Sequence, residues 1–466
     1  MTISRRNFLS QFTAITAGTF LMPRIRIQEK TLTCKIINAK VFYQNKWQTM
    51  TIGINEAGRL VLNEVESYTA KSTYNAQGKV LAPGFIDILF DNSANPQQTY
   101  LIAEKYKITD GVTTALQMHG GQHEIKSHYD IFQQKPHYIN YGVSTKVMNI
   151  RNQYPTLAQR YKKVEQCLEE GALGVSHSIE YQPTPFEEVL EYAKIAKKYN
   201  RTLFLHLRYS SKEQELEGVK EAVSLAEKTG VRVHIDHLHS TGGTFNMPKA
   251  LELIRNAIQR GLEITTCVYP YSYWATYIHS KRFDEGWQQR YGLTYQDLQV
   301  VGTGERLTAE SFARYRKTVK LVAVPEGTLP LDKTVDLALK EDFCMIGSDG
   351  GIESEPNANS HPRGAGCFAT SIKHGLKIGI SLEKMIEKMT VLPQKVVPQP
   401  LSDRARIVDG AWADIVVFDP ETINGKANVA NPNQFSEGII AVWVNGVLSY
   451  ENGKLLQKQG KAIRWE

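Results

Sequence analysis

The chain has 466 residues, enough for more than one domain, and its 42% apolar and 22% charged residues describe an ordinary globular protein. Its formal charge of +7 is inflated at the start, where Arg5, Arg6, Arg24, Arg26 and Lys30 stand against Glu29 alone. The remainder carries about +3, too little to argue for a nucleic-acid partner or an anionic membrane surface, and no basic cluster interleaves with aromatics elsewhere, so we expect no nucleic-acid partner.

Residues 1–30 read as an export leader. Ser4-Arg5-Arg6-Asn7-Phe8-Leu9 precedes a mildly apolar run too short to span a bilayer. Paired arginines ahead of Phe-Leu resemble the twin-arginine signal. We therefore expect the twin-arginine export machinery as a partner and the periplasm, or the outer face of the inner membrane, as the destination. That route carries folded proteins, which suits a chain that acquires metal before export. No A-x-A cleavage site is obvious, so leader cleavage stays open.

From residue 31 to 82 short alternating stretches, TLTCKIINAKVFY and TMTIGINEAGRLVL, are punctuated by Gly, Asn and Lys turns, the pattern of a small β-rich module. The same texture returns in residues 401–466, in ADIVVFDP and IIAVWVNGVLSYENGKLL. Between them, residues 83–400 alternate strand and helix patterns. GVTTALQM is a strand ending at His119, QRYKKVEQCLEEG a helix, ALGVSHSI a strand and PFEEVLEYAKIAKKYN a helix. PKALELIRNAIQRG leads as a helix into LEITTCVYPY, and DFCMIGSDGG is a late strand ending at Asp349. So many βα units favour a parallel barrel, although periodicity alone leaves an open sheet possible. The expected architecture is α/β: a distorted (β/α)8 TIM barrel clasped by a β-sandwich made from both chain ends.

Five cysteines (Cys34, Cys167, Cys267, Cys344 and Cys367) are odd in number and in no C-x-x-C arrangement, so they specify neither a disulfide framework nor a zinc ribbon. They read as small buried hydrophobes, with Cys267 the one near a strand end.

The most informative stretch is Thr202 to Gly243. TLFLHLR is a strand ending on His206 and Arg208. A helix with Val219, Ala222, Val223 and Ala226 on one stripe follows and stops at Thr229-Gly230. VRVHIDH is a second strand, ending in His237 and His239. A strand, helix and strand at this spacing make a βαβ unit with parallel strands, so the histidines point into one barrel mouth, where chemistry sits. Neutral imidazole is a good ligand for zinc or a similar ion. A single histidine there is as readily explained by local hydrogen bonding; for the pair, metal is favoured. Strict alternation places residues 235, 237 and 239 on one face and leaves His234 opposite, as a packing or helix-facing residue.

LAPGFID, EEGALGVSHSIEYQP, HIDHLHSTG, VYPYSYW, ERLTAESFARY, MIGSDGG, SHPRGAG, KMTVLPQK and GAWADIVVFDPETI resemble, in order, landmarks of the amidohydrolase superfamily. The branch is that of the N-acyl-D-amino-acid deacylases, or D-aminoacylases, including those acting on N-acyl-D-glutamate. The resemblance runs from about Lys79 to near the C-terminus. It implies a barrel with a β-sandwich and hydrolysis of an N-acyl amide to a carboxylate and a free D-amino acid. His206 and His237 match the two strand-end metal histidines, and Asp349 matches the late-strand aspartate that acts as general base and proton shuttle. A turn-forming role in Ser-Asp-Gly-Gly is its plain alternative. Tyr181, Tyr269 and Arg363 match positions resembling substrate-carboxylate contacts, and His239 lies where relatives carry lysine or asparagine.

The chain departs from the family pattern after PGFID. The hallmark H-x-H becomes Leu89 and Asp91, and leucine cannot ligate a metal. His119 falls where relatives carry a glutamate ligand, and three histidines with a water make a reasonable one-metal site. The resulting expectation is one ion, zinc first, held by His119, His206 and His237, with Asp349 as acid and base on a small N-acyl amino acid. The alternatives are a pseudoenzyme that binds acylated amino acids or wall fragments, and a hydrolase of a dipeptide or cyclic imide.

Overall fold

The structure is a computed structural model that describes residues 31–90, 96–318, 321–323, 325, 327–351, 359 and 361–466. The leader and Asp91 lie outside the described residues. Eight strands form the central sheet in chain order: β1 (Phe85–Asp87), β2 (Val112–Gln122), β3 (Asn140–Lys146), β4 (Gly174–Ser178), β5 (Thr202–His206), β6 (Val233–Ile235), β7 (Ile264–Val268) and β8 (Cys344–Ile346). Every neighbouring pair is parallel. A single parallel bridge from Phe90 to Gly350 draws the last strand to the first, so the sheet is a nearly closed barrel.

Local chemistry explains the connecting helices. Helix Leu157–Glu169 starts on a capping box in which Thr156 and Gln159 satisfy each other's backbone amides. Helix Glu215–Thr229 buries the expected stripe of Val219, Ala222, Val223 and Ala226. It stops at Gly230, whose φ of 66° is open to glycine without strain. Alternation sorts each barrel strand between two cores. Leu203, Leu205, Val233 and Ile235 face the helices. Ile86, Leu116, Met118, Phe204, Cys267 and Met345 fill the interior together with Leu89, Ile463 and Trp465. All five cysteines are free and buried.

Strands from both chain ends share one nine-stranded sheet: Ile415–Phe418 pairs antiparallel with Val80–Pro83 on one side and Ile439–Val444 on the other. Between β7 and β8 the chain inserts a small three-stranded sheet (Ala275–Tyr277, Gln299–Val300 and Leu321–Ala323) that the sequence patterns do not announce. This insert reaches the barrel mouth.

Candidate metal centre

The C-terminal ends of β2, β5 and β6 bring His119, His206 and His237 together. One ligand nitrogen from each lies within 4.8 Å of the other two, and all three residues are buried. Each arrives by a different local device. His206 is the last residue of β5, on the interior face two positions after Phe204. His119 sits in a bulge: Val143 pairs with Gln117 and Thr145 with Gln122, so three extra residues of β2 are accommodated between those pairs. Ser144 Oγ, bonded to the carbonyls of Gln117 and Met118 at 3.1 Å, and Ser176 Oγ, bonded to that of His119 at 2.8 Å, hold the bulge. Gly121 within it has φ 72°, and a Cβ there would lie 2.6 Å from the Ser144 carbonyl oxygen.

His237 corrects the alternation argument. The strand ends at Ile235, which faces the helices, and His234 points inward with its ring 5.4 Å from Phe204. His237 has φ 27° and opens the 3-10 turn Leu238–Ser240; this backbone turn, rather than strand periodicity, carries its ring to the mouth. His234 is a packing residue as expected, but on the interior face, with Nδ1 2.9 Å from Thr265 Oγ1. His239 stands apart from the triad, edge-on to Tyr269 at 4.1 Å between centroids.

Hydrogen bonding shows which nitrogens are left over. Asp236 Oδ2 lies 2.7 Å from His119 Nδ1, Glu180 Oε2 lies 2.9 Å from His206 Nε2, and Ser240 Oγ lies 3.1 Å from His237 Nδ1. The opposite nitrogens are His119 Nε2, His206 Nδ1 and His237 Nε2, and the buried His206 Nδ1 has no hydrogen-bond partner. Three imidazoles, two oriented by a carboxylate, with a buried unpartnered nitrogen among them, fit a divalent cation. Burial lowers the affinity of His206 and His237 for protons, and neighbouring imidazoles add to the effect at His237, which favours the neutral, ligating form. At His119 burial acts the same way, but the Asp236 hydrogen bond and charge outweigh it and raise the pKa.

Asp349 stands beside this centre, with Oδ2 3.9 Å from His237 Nε2. Its φ is 51°, a left-handed conformation that aspartate tolerates better than most residues. Arg363, buried at the start of helix Arg363–Lys377, binds it twice: NH2 lies 2.9 Å from Oδ2 and Nε donates to the Asp349 carbonyl at 2.7 Å. The remaining terminal nitrogen donates to Tyr269 Oη at 2.9 Å. Tyr181 lies with its ring 4.9 Å from His206. All seven site residues read from the sequence thus lie around one mouth, with Arg363 engaged by Asp349 and Tyr269 in this state. The sequence reading missed Asp236, Glu180, Ser240 and Arg282. Asp236 was missed because strict alternation turns 235, 237 and 239 to the mouth and leaves 234 and 236 behind; Arg282, on the insert, carried no local signal.

No protein-family model matches the chain. It is 29% identical over 317 residues to the N-acyl-D-glutamate deacylase of Alcaligenes xylosoxydans xylosoxydans, covering 65% of this chain and 63% of that protein. The N-acyl-D-aspartate deacylase of the same organism is 24% identical over 450 residues, covering 84% of this chain and 86% of that one. Among solved structures, the N-acyl-D-glutamate deacylase from Bordetella bronchiseptica, complexed with zinc and a phosphonate mimic of the tetrahedral intermediate, superposes with a TM-score of 0.80 at 22% identity, over 93% of this chain and all of that one. The chain is thus similar in sequence to N-acyl-D-glutamate and N-acyl-D-aspartate deacylases, and it shares the fold of the solved N-acyl-D-glutamate deacylase.

Proposed function

We propose that the protein is a metal-dependent hydrolase of N-acyl-D-amino acids, D-glutamate-like substrates first, working with one divalent ion, zinc by preference. The observation that carries this reading is the convergence of His119, His206 and His237, one nitrogen unpartnered, beside Asp349. An ion held there supplies Lewis-acid polarisation of the acyl carbonyl and of water. Asp349 takes the proton of the attacking water and passes it to the departing amine. Arg363 and Tyr269 receive the substrate's carboxylate, with Tyr181 closing the pocket against His206. Because the guanidinium already holds Asp349, a substrate carboxylate competes with Asp349 for it, and binding frees the base for proton transfer. Export by the twin-arginine route, supported by Arg5 and Arg6 ahead of Phe8-Leu9, is part of the same proposal, with action in the periplasm or at the outer face of the inner membrane.

The test is metal analysis of the purified protein, with and without zinc, followed by turnover of N-acyl-D-Glu, N-acyl-L-Glu and dipeptides. About one zinc per chain and hydrolysis restricted to the D substrate are expected; cleavage of dipeptides or cyclic imides instead would reassign the substrate. A second reading, binding without cleavage, draws on the same Arg363–Asp349 ion pair, which leaves the carboxylate engaged unless a ligand displaces it. Thermal stabilisation by N-acyl-D-Glu with no turnover in the zinc-loaded protein would favour that reading.

A further inference from the structure

Glu180, just beyond β4, and Arg282, in the 3-10 turn Lys281–Phe283 of the insert, form an ion pair at 3.1 Å beside the three histidines. The glutamate side chain is 16% exposed and the arginine side chain 5%. Both ends of the pair run into the centre. Glu180 accepts from His206 Nε2 at 2.9 Å with the oxygen that faces Arg282, and its other oxygen accepts from Ser210 Oγ. Arg282 donates to the Ser240 carbonyl at 3.2 Å, and Ser240 Oγ lies 3.1 Å from His237 Nδ1. One chain of contacts therefore runs from His206 through Glu180, Arg282 and Ser240 to His237. The insert anchors the arginine: its guanidinium lies 5.0 Å from the Trp274 ring, and Phe283 packs against Trp274, Trp287 and Phe312.

Stability alone is a poor reason for this pair. Removing two charges from water costs several kcal/mol per ion, and a neutral, well-packed replacement is often as stable. Arg282 Nε is also buried without a partner, a further cost. What the pair does achieve is geometric: with Nε2 engaged by Glu180, the His206 ring is fixed and its Nδ1 is left free to ligate.

We propose that Glu180 and Arg282 are positioning residues that hold His206 and His237 ready for a divalent cation, so that cation affinity depends on the docking of the insert against the barrel mouth. The proposal rests on the metal reading above. Its test is a zinc titration against a chromophoric chelator, with the apo-protein melting temperature measured alongside, for the wild type, Glu180→Gln, Arg282→Met and the double variant. Glu180→Gln is expected to weaken zinc binding by about 10- to 100-fold. The double variant, with both charges gone, should melt near the wild-type temperature as apo-protein and still bind zinc at least about 10-fold more weakly. The cobalt form should change its visible spectrum in the same variants. Wild-type zinc affinity in a folded Glu180→Gln or double variant overturns the clamp alone. A wild type that takes no zinc overturns the metal reading and the clamp with it. Should Arg282→Met fail to fold, the isosteric Glu180→Gln decides.

Discussion

The barrel mouth has two halves that treat their polar groups in opposite ways. On the β2, β5 and β6 side, carboxylates orient His119 and His206, one ligand nitrogen of each lies within 4.8 Å of the others and of His237, and His206 Nδ1 has no protein partner. On the β1 and β8 side, among the described residues, Asp87 and Lys107 answer each other from within. Asp87, fully buried, accepts from the Ser348 and Leu89 amides at 3.0 and 3.2 Å, from Ser348 Oγ, and pairs with Lys107 Nζ at 2.9 Å. Lys107 also donates to Ser348 Oγ at 2.8 Å and lies 5.0 Å from the Phe90 ring. Leu89 is fully buried in the interior core. The first half is organised for a cation from outside; the second carries its own, an ammonium. A structural ion pair thus lies directly beneath the Asp349 turn, since Lys107 Nζ lies 3.2 Å from where a Cβ on Gly350 would sit.

The comparison breaks first at His206. His206→Ala should abolish stoichiometric zinc retention and lower kcat/KM by at least about 10³-fold, about 4 kcal/mol of barrier, while leaving the fold intact. Zinc analysis, circular dichroism and steady-state kinetics check this, and full metal content with full turnover would end the one-metal reading. Asp349→Asn should keep its zinc and lose about 10²- to 10⁴-fold in kcat, the range of a general base. Metal content measured beside kcat separates this variant from His206→Ala. On the other side, Lys107→Met should leave zinc affinity nearly unchanged but destabilise the protein by about 3–5 kcal/mol, because Asp87 is left as a buried unpaired charge. Urea unfolding reads that loss, and Asp87→Asn combined with Lys107→Met should recover part of it.

A pH-dependent effect lies outside both halves. Burial pushes the pKa of His177 down to about 3 and that of His128 down to about 4, helped at His177 by Arg151 and at His128 by His137. Both fold as neutral rings, whereas in the unfolded chain they titrate near the ordinary 6.5. Folding therefore binds fewer protons than unfolding below that value. The stability they contribute is full above pH 6.5 and is lost as pH falls toward about 3 to 4, at up to about 1.4 kcal/mol per pH unit for each ring. His177→Gln should flatten the acid side of the apo-protein's stability profile, and an unchanged slope would remove His177 from its cause.

The amino-acid sequence by itself determined the βα rhythm, the β texture of both chain ends and the strand-end place of His206, because each rests on short-range signals (strand-length apolar runs, a helical stripe, a glycine stop), while Asp349, Tyr181, Tyr269 and Arg363 were reached only through the resemblance of their motifs. Tertiary structure decided the rest. A bulge in β2 brought in His119, and a positive-φ turn rather than strand alternation delivered His237. A long-range contact set Arg282 beside Glu180 although 102 residues separate them in the chain. Periodicity reports which way a regular strand faces; it is silent where the backbone leaves regularity, and it cannot see partners that only folding brings within hydrogen-bond distance.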